Sequence, residues 1–352
     1  ASGCNSTYAT HDEPRWYHMQ SKIFISALTE LDAILGDDEK FISDVCDAAY
    51  DMEPRFMAVC GSPMPMMTGV DFDAAAMEIE RRTGIRTLAL HTNGTRHYTE
   101  GASEAFLEII REYVRPVQNK TPCGVNILGA MPLDFGITGT IESLKQWLSA
   151  NGFQVVSSVA MGDTLDNISS CAAGAQVNLV IAFSGLAAAE YLYDTFGIPY
   201  VCGFPTGTAF SAAVADSLRK AIATGSCQFP CAEGNTASAG QITVIGESIV
   251  SASVAADLAL QTGKTTHVIC PVSFEAACMN GETESLSFED EIEKALAENP
   301  PEFVVADPLY RYILPQNTRL IELPHFAFSG RCFDKRIPDL CKVNFMDLVN
   351  EV

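Results

Sequence analysis

Short apolar runs closed by Gly, Ser, Thr or Pro alternate along this chain with longer stretches whose apolar residues recur at helical spacing. A short continuous run bounded by turn formers reads as a buried strand, and a longer run of helical period reads as an amphipathic helix. The short runs predict strands at residues 56–60, 87–91, 124–129, 154–159, 178–183, 200–203, 243–246, 267–270, 303–306 and 319–323. The periodic stretches between them predict helices at 72–83, 102–114, 140–150, 187–195, 209–223, 248–261 and 288–299. Strand, crossover helix and parallel strand in regular succession specify an α/β fold of Rossmann-like βαβ units with mainly parallel sheets. Such sheets bind ligands outside the carboxyl ends of their strands, so residues just after a predicted strand carry the most functional weight.

Turn-forming composition interrupts the pattern at 116–122 (PVQNKTP) and at 225–240 (GSCQFPCAEGNTASAG). These breaks divide the chain into three α/β domains, 1–119, 120–235 and 236–352. With 352 residues and 47% hydrophobic composition, each can fill a core. The net charge of −22 repels phosphate backbones and anionic lipid, which sets nucleic acid and membrane surfaces aside as partners. No apolar stretch reaches the length of a membrane span, and the start ASGCNSTYATHDEPRW lacks the basic-then-apolar layout of a signal peptide. A cytoplasmic location is expected.

The 12 cysteines are scattered, with no CxxC pair and no ferredoxin-type run. Dispersal over a large chain argues against a disulfide framework, and any metal site must be assembled from distant segments. Cys4 lies in SGCNSTY, and Cys60 closes FMAVC before the turn GSPMPMMTGVDFD. Taken alone, a cysteine after a buried strand is more often a small core residue than a ligand. Cys227 and Cys231 form a CxxxC without a second pair beside it, which reads as an inter-domain connection. Met64, Met66 and Met67 read as packing residues. Gly246-Glu247-Ser248 has the strand–turn–helix layout that can offer backbone N–H groups to an anion. Neither GxGxxG nor GxxxxGK[ST] is present, so this chain is not expected to hydrolyse ATP itself. His91 and His97, in HTNGTRH, and His325, in LPHFAFSG, follow predicted strands. Each reads first as a strand-end histidine bonded to backbone, and second as a metal ligand or proton relay.

The order of several segments resembles the component 1 subunits of the nitrogenase superfamily. These are Gly3-Cys4 with a Tyr shortly after, the stretch from Leu28 to Lys40, Cys60 with Gly69-Val70-Asp71 following, and Val125-Asn126-Ile127-Leu128-Gly129. They continue with Gly162-Asp163-Thr164, Val177-Asn178-Leu179-Val180 running on to Phe196-Gly197-Ile198-Pro199, and Ser329 to Arg336 near the end. No single motif decides the matter; their succession along one chain does.

The resemblance implies a fold of nitrogenase component 1 type and an oxidoreductase function. Cys4 and Cys60 fall on two positions that supply thiolates to an iron–sulfur cluster shared between subunits, a [4Fe-4S] cluster or a larger one. The implied partners are a second subunit, in a homodimer or a heterodimer with a related chain, and an ATP-dependent iron protein that docks and delivers electrons. The implied substrate is a small molecule or tetrapyrrole. Cys171 is expected near the central pocket and His325 near the family's cofactor-binding histidine. Two departures qualify this. The family's further cluster cysteine would precede Ala1: either the chain has been shortened, or the site needs fewer ligands per subunit and two cysteines from each chain of a symmetric dimer complete the four thiolates, the reading preferred here. Ala182 stands close to where nitrogenase catalytic subunits anchor the molybdenum cofactor with a cysteine, and a methyl group cannot bind iron. A cluster-assembly scaffold of the same fold, without turnover, is the alternative.

Overall fold

The computed structural model describes residues 23, 36, 38–233, 241–279 and 283–351. They fall into two compact units, one reaching to Glu108 and the other running from Ile109.

The first unit begins with α1 (Asp38–Met52) and β1 (Met57–Cys60), followed by α2 (Pro63–Thr68), α3 (Phe72–Thr83) and β2 (Thr87–Leu90). β1 and β2 pair in parallel, with Met57 opposite Thr87 and Cys60 opposite Leu90. Helix α3 starts where the Asp71 carboxylate accepts the Ala74 N–H at 2.9 Å, and it stops at Gly84, whose φ of 70° closes a left-handed cap. Its apolar face, Ala75, Ala76 and Ile79, is buried, and Ala75 and Ile79 share a cluster with Val59 of β1 and Ile42 and Cys46 of α1. The unit boundary falls within α4 (Tyr98–Tyr113).

The second unit contains two parallel sheets. The first is built from β3 (Gly124–Leu128), α5 (Pro132–Phe135), α6 (Thr140–Ala150), β4 (Gln154–Ser158), α7 (Leu165–Cys171), β5 (Val177–Val180), α8 (Leu186–Phe196), β6 (Tyr200–Cys202) and α9 (Ala209–Thr224). The second follows with β7 (Ile242–Ile245), α10 (Ser248–Thr262), β8 (Thr266–Cys270), β9 (Thr283–Ser285), α11 (Glu289–Glu298), β10 (Phe303–Ala306) and β11 (Arg319–Glu322), then the short helices α12 (Phe326–Ser329) and α13 (Phe345–Glu351). Strand orders are β4-β3-β5-β6 and β11-β10-β7-β8-β9. Every pairing is parallel. The central strands β3, β5, β7, β8 and β10 are buried along their whole length, which is why they read as continuous apolar runs. One apolar cluster joins Val125, Leu144 and Leu179 of the first sheet's layers to Val244, Val254 and Val305 of the second.

Each predicted strand is present, with its ends moved by at most three residues. The apolar pattern does not predict β9, because Thr-Glu-Ser is a polar edge strand with two of its three residues exposed. Nor does it predict α1 and α7. In the first sheet β4 is added on one side of β3 and β5 on the other, so the winding reverses between β3 and β5. In the second it reverses between β7 and β10. A reversal leaves a crevice at the carboxyl ends of its two strands.

Leu144 is fully buried in the shared core, whereas Met77 is 74% exposed. Leu144→Ala is expected to lower the unfolding free energy by about 3 kcal/mol in urea titrations, through lost transfer energy plus a cavity. Met77→Ala is expected to stay within about 0.5 kcal/mol of the parent.

Candidate functional site

In the first unit, the carboxyl ends of β1 and β2 set Cys60 beside the residues that follow Leu90. The chain leaves β1 through Gly61, and the two loops touch there. Thr92 Oγ1 donates to the Gly61 carbonyl at 2.9 Å, and a Cβ on Gly61 would lie 2.1 Å from the Thr92 carbonyl oxygen, so only glycine fits. His91 is held by two carboxylates, with Nε2 2.9 Å from Asp73 Oδ2 and Nδ1 3.2 Å from Glu104 Oε1. Bonding to Asp73, with a further contribution from Glu104, raises its pKa. Cys60 as a residue is exposed. Protein packed around its sulfur, together with the Glu104 charge, nevertheless raises the thiol's pKa, so without a metal it stays protonated.

In the second unit, polar residues collect at the two winding reversals. Glu247 follows β7 and is almost completely buried. Its Oε2 accepts the Val250 N–H at 2.9 Å, and its Oε1 accepts the Ser248 hydroxyl at 3.1 Å and, from the loop after β5, the Phe183 N–H at 2.8 Å. That last bond ties the reversal of one sheet to the reversal of the other. Burial, and then the nearby charge of Asp134, push the Glu247 pKa up to about 7. Asp134 lies in α5 after β3 with a fully buried side chain, 3.4 Å from His325 Nε2. His325 follows β11 and caps α12, its Nδ1 accepting the Ala327 N–H at 3.1 Å. Nδ1 is therefore the unprotonated nitrogen, and in the neutral ring the proton sits on Nε2, facing Asp134. Phe328 covers the ring at 4.8 Å. Asp307, at the end of β10, fixes this arrangement by accepting the His325 N–H at 2.9 Å, the Ser329 hydroxyl at 2.7 Å and the Leu309 N–H at 3.0 Å. Ser184 Oγ, beside Phe183, and His325 Nε2 are buried here with no hydrogen-bond partner among the described residues. Unsatisfied buried polar atoms are uncommon and mark a place where a polar ligand or water gains most by binding.

Of the residues singled out from sequence, Cys60 and His91 come together in the first unit, and Cys4 lies outside the described residues. His325 joins Asp134 in the second. Cys171 ends α7 half-buried, with Ser170 Oγ 3.4 Å from its sulfur, where the chain enters β5 at the opposite end of that strand from Ala182. Ala182 is completely buried. The backbone N–H groups after Gly246 do not wait for an anion, because Glu247 supplies its own carboxylate to the Val250 N–H. Asp134, Asp307 and Ser184 are absent from the candidates that the sequence suggests. Their signal is position just after a predicted strand, a criterion applied above to cysteine and histidine alone. Cys231 is core, bonded to Ser253 Oγ at 3.5 Å. Among the described residues no group of three or more His, Cys, Asp or Glu forms a metal site, so Cys60 suits a cluster only as one thiolate of a set completed from elsewhere. None of their helices is long and apolar enough to cross a membrane.

A family model described as nitrogenase component 1 type oxidoreductase matches residues 1–252. The chain is 26% identical over 183 residues to the nitrogenase iron-molybdenum cofactor biosynthesis protein NifE of Clostridium pasteurianum, covering 51% of this chain and 38% of that protein. It is 20% identical over 180 residues to the nitrogenase molybdenum-iron protein alpha chain of Methanosarcina barkeri, covering 49% and 33%. To a light-independent protochlorophyllide reductase subunit of Prosthecochloris aestuarii it is 27% identical over 159 residues, covering 44% and 29%. These matches span about a third of each relative's length. The solved structure of nitrogenase Cp1 at pH 5 aligns with a TM-score of 0.63 and 15% identity, over 94% of this chain and 75% of that one. That likeness establishes the fold as the nitrogenase component 1 type.

Glu247 makes stability depend on pH. Its folded pKa of about 7 lies above the ordinary carboxyl value it regains on unfolding, so its contribution is full in acid and is lost as pH rises through the folded value. The loss runs from about pH 4.5 to about pH 7, at up to about 1.4 kcal/mol per pH unit. Glu247→Gln cannot titrate and should remove that component from the urea-midpoint profile. It should also be less stable in acid, since one amide nitrogen replaces an acceptor oxygen. Parallel profiles for the two proteins would exclude this role.

Proposed function

The chain belongs to the nitrogenase component 1 type oxidoreductase family, and on that footing we propose that it is the electron-accepting, substrate-reducing component of a nitrogenase-like oxidoreductase. An ATP-dependent iron protein delivers the electrons to an iron–sulfur cluster, [4Fe-4S] or larger, held between two subunits. The second subunit is another copy of this chain or a related one. The observation that carries the proposal is Cys60 itself: an exposed cysteine residue at the carboxyl end of a parallel strand, inside the matched region. Cys4 and Cys60 hold the cluster, and the cluster supplies one-electron chemistry through soft thiolate ligands. The same proposal takes 1–119, 120–235 and 236–352 as the domains, each with one sheet, and the cytoplasm as the location.

The protein's own groups supply position and protons. The loop contact at Gly61 and Thr92 fixes the backbone beside Cys60. In the second unit, the Nε2 proton of His325 faces Asp134, and Glu247 is a carboxyl that holds its proton close to neutral pH. These groups serve to protonate a substrate as it is reduced. Ala182 offers no thiolate where the molybdenum cofactor would need one, so the substrate is a small molecule or tetrapyrrole other than dinitrogen.

A second reading is favoured by the likeness to a cofactor biosynthesis protein: a scaffold of this fold that holds a maturing cluster and passes it on. The two separate by turnover. An enzyme consumes substrate when supplied with the iron protein and ATP, whereas a scaffold transfers its cluster without consuming any.

Anaerobic purification with iron and sulfide analysis tests the site. The parent should carry both, with charge-transfer absorption in the visible. Cys60→Ser and Cys4→Ser should each lose most of the iron, sulfide and colour while keeping the parent's circular dichroism. Iron and sulfide unchanged in both variants would remove these cysteines from the cluster.

A further inference from the structure

Three thiols that the proposed reaction does not use are buried together in the second unit. Cys202 ends β6, Cys278 closes the short turn Ala276–Cys278 after β8, and Cys231 lies in the turn Pro230–Glu233. Cys202 and Cys231 are fully buried and Cys278 is 2% exposed. Although 76 positions apart in sequence, Cys278 donates its S–H to the Cys202 sulfur at 3.3 Å, closer than two sulfurs in ordinary van der Waals contact. Cys231 faces elsewhere. Its sulfur lies 3.5 Å from Ser253 Oγ and 3.9 Å from the Cys202 carbonyl oxygen. The Cys202 sulfur is thus aligned with one thiol of its two neighbours.

We propose that Cys202 and Cys278 are a redox pair that closes to an intramolecular disulfide when the chain meets a two-electron oxidant of the peroxide class. One cysteine sulfur attacks a peroxide oxygen, the O–O bond breaks, and a sulfenic acid and one water result. The other thiol then attacks that sulfur, the S–S bond forms, and the hydroxyl leaves with a proton as a second water. In total the two thiols lose two electrons and two protons, and hydrogen peroxide is reduced to two waters. Closure shortens the sulfur separation from 3.3 Å to roughly 2.0 Å, a movement of about one ångström.

Burial, with the hydrogen bond from Cys278 adding to it, raises the Cys202 pKa well above that of an ordinary thiol. The Cys202 sulfur therefore stays protonated, and the pair reacts more slowly than the exposed Cys123 and Cys332. The bond would tie the last strand of the four-stranded sheet to the segment that leaves β8 in the five-stranded sheet. This inference does not rest on the proposed function.

The test treats the full chain, purified without oxygen, with hydrogen peroxide for increasing times. Remaining thiols are alkylated in denaturant and the peptides are mapped without reduction. The expected product joins the Cys202 and Cys278 peptides, is two hydrogens lighter than their sum, forms after Cys123 and Cys332 have reacted, and is split by a phosphine reductant. It should persist in Cys231→Ser and be absent from Cys278→Ser. Recovery of Cys202 and Cys278 as alkylated thiols after the exposed cysteines are fully oxidised would overturn the inference, as would a Cys202–Cys231 link in the parent. The parent map decides the question alone, so a folding defect in a variant does not blunt it.

Discussion

Parallel strands can be joined only by crossovers, so every loop that leaves a strand's carboxyl end does so on the same edge of its sheet. That constraint governs where chemistry can collect in this protein, because all strand pairings among the described residues are parallel. In the second unit the loops at the two reversals are drawn together by one hydrogen bond, from the Phe183 N–H to the Glu247 carboxylate. The approach is close enough to restrict the sequence. A Cβ on Gly185 would lie 2.5 Å from the carbonyl carbon of Leu128, so any side chain there would force the loop after β5 away from β3. Packing at the backbone level thus precedes, and permits, the placing of polar side chains.

Those side chains are costly to bury, and the two main carboxylates meet the cost differently. Asp307 accepts three donors, two from backbone and one from Ser329, and these replace the water it has lost. Glu247 also accepts three, yet its pKa rises, because desolvation and the like charge of Asp134 outweigh them. A proton on Glu247 removes the repulsion without breaking the backbone bonds, since a protonated carboxyl oxygen can still accept. Glu247 is therefore both a strut between two sheets and a reservoir for one proton.

Much of this was legible in the sequence, and the exceptions have physical causes. The central strands are buried on both faces and so stand out as apolar runs, whereas β9 is a polar edge strand held by pairing to β8 alone. Cys60 and His325 could be picked out because one closes a strand, the other follows one, and both are chemically conspicuous. Asp134 could not, because nothing in Met-Pro-Leu-Asp-Phe-Gly shows that its carboxylate will be buried against a histidine from the far end of the chain. Glu247 was singled out for the backbone N–H groups that follow it. Periodicity cannot show that its own side chain turns back to occupy them. Pairing between distant side chains is set by sheet order, and sheet order is not written in any local pattern.

Reduction by successive electrons makes a substrate more basic at each step, so such a site needs protons available at the working pH and in a place water does not reach freely. An exposed carboxylic acid has already given its proton up at neutrality. A carboxyl whose pKa is raised by burial, and further by a second carboxylate nearby, keeps its proton closer to neutrality. The Asp134 and Glu247 pair has this property because two sheets, each wound outward from a central strand, bring their reversal points together. Replacing Glu247 by an apolar residue would remove the proton and leave the Phe183 and Val250 N–H groups without their acceptor. On the proposed function, the burial and like-charge repulsion that weaken the fold near neutral pH are the same influences that make the site able to deliver protons.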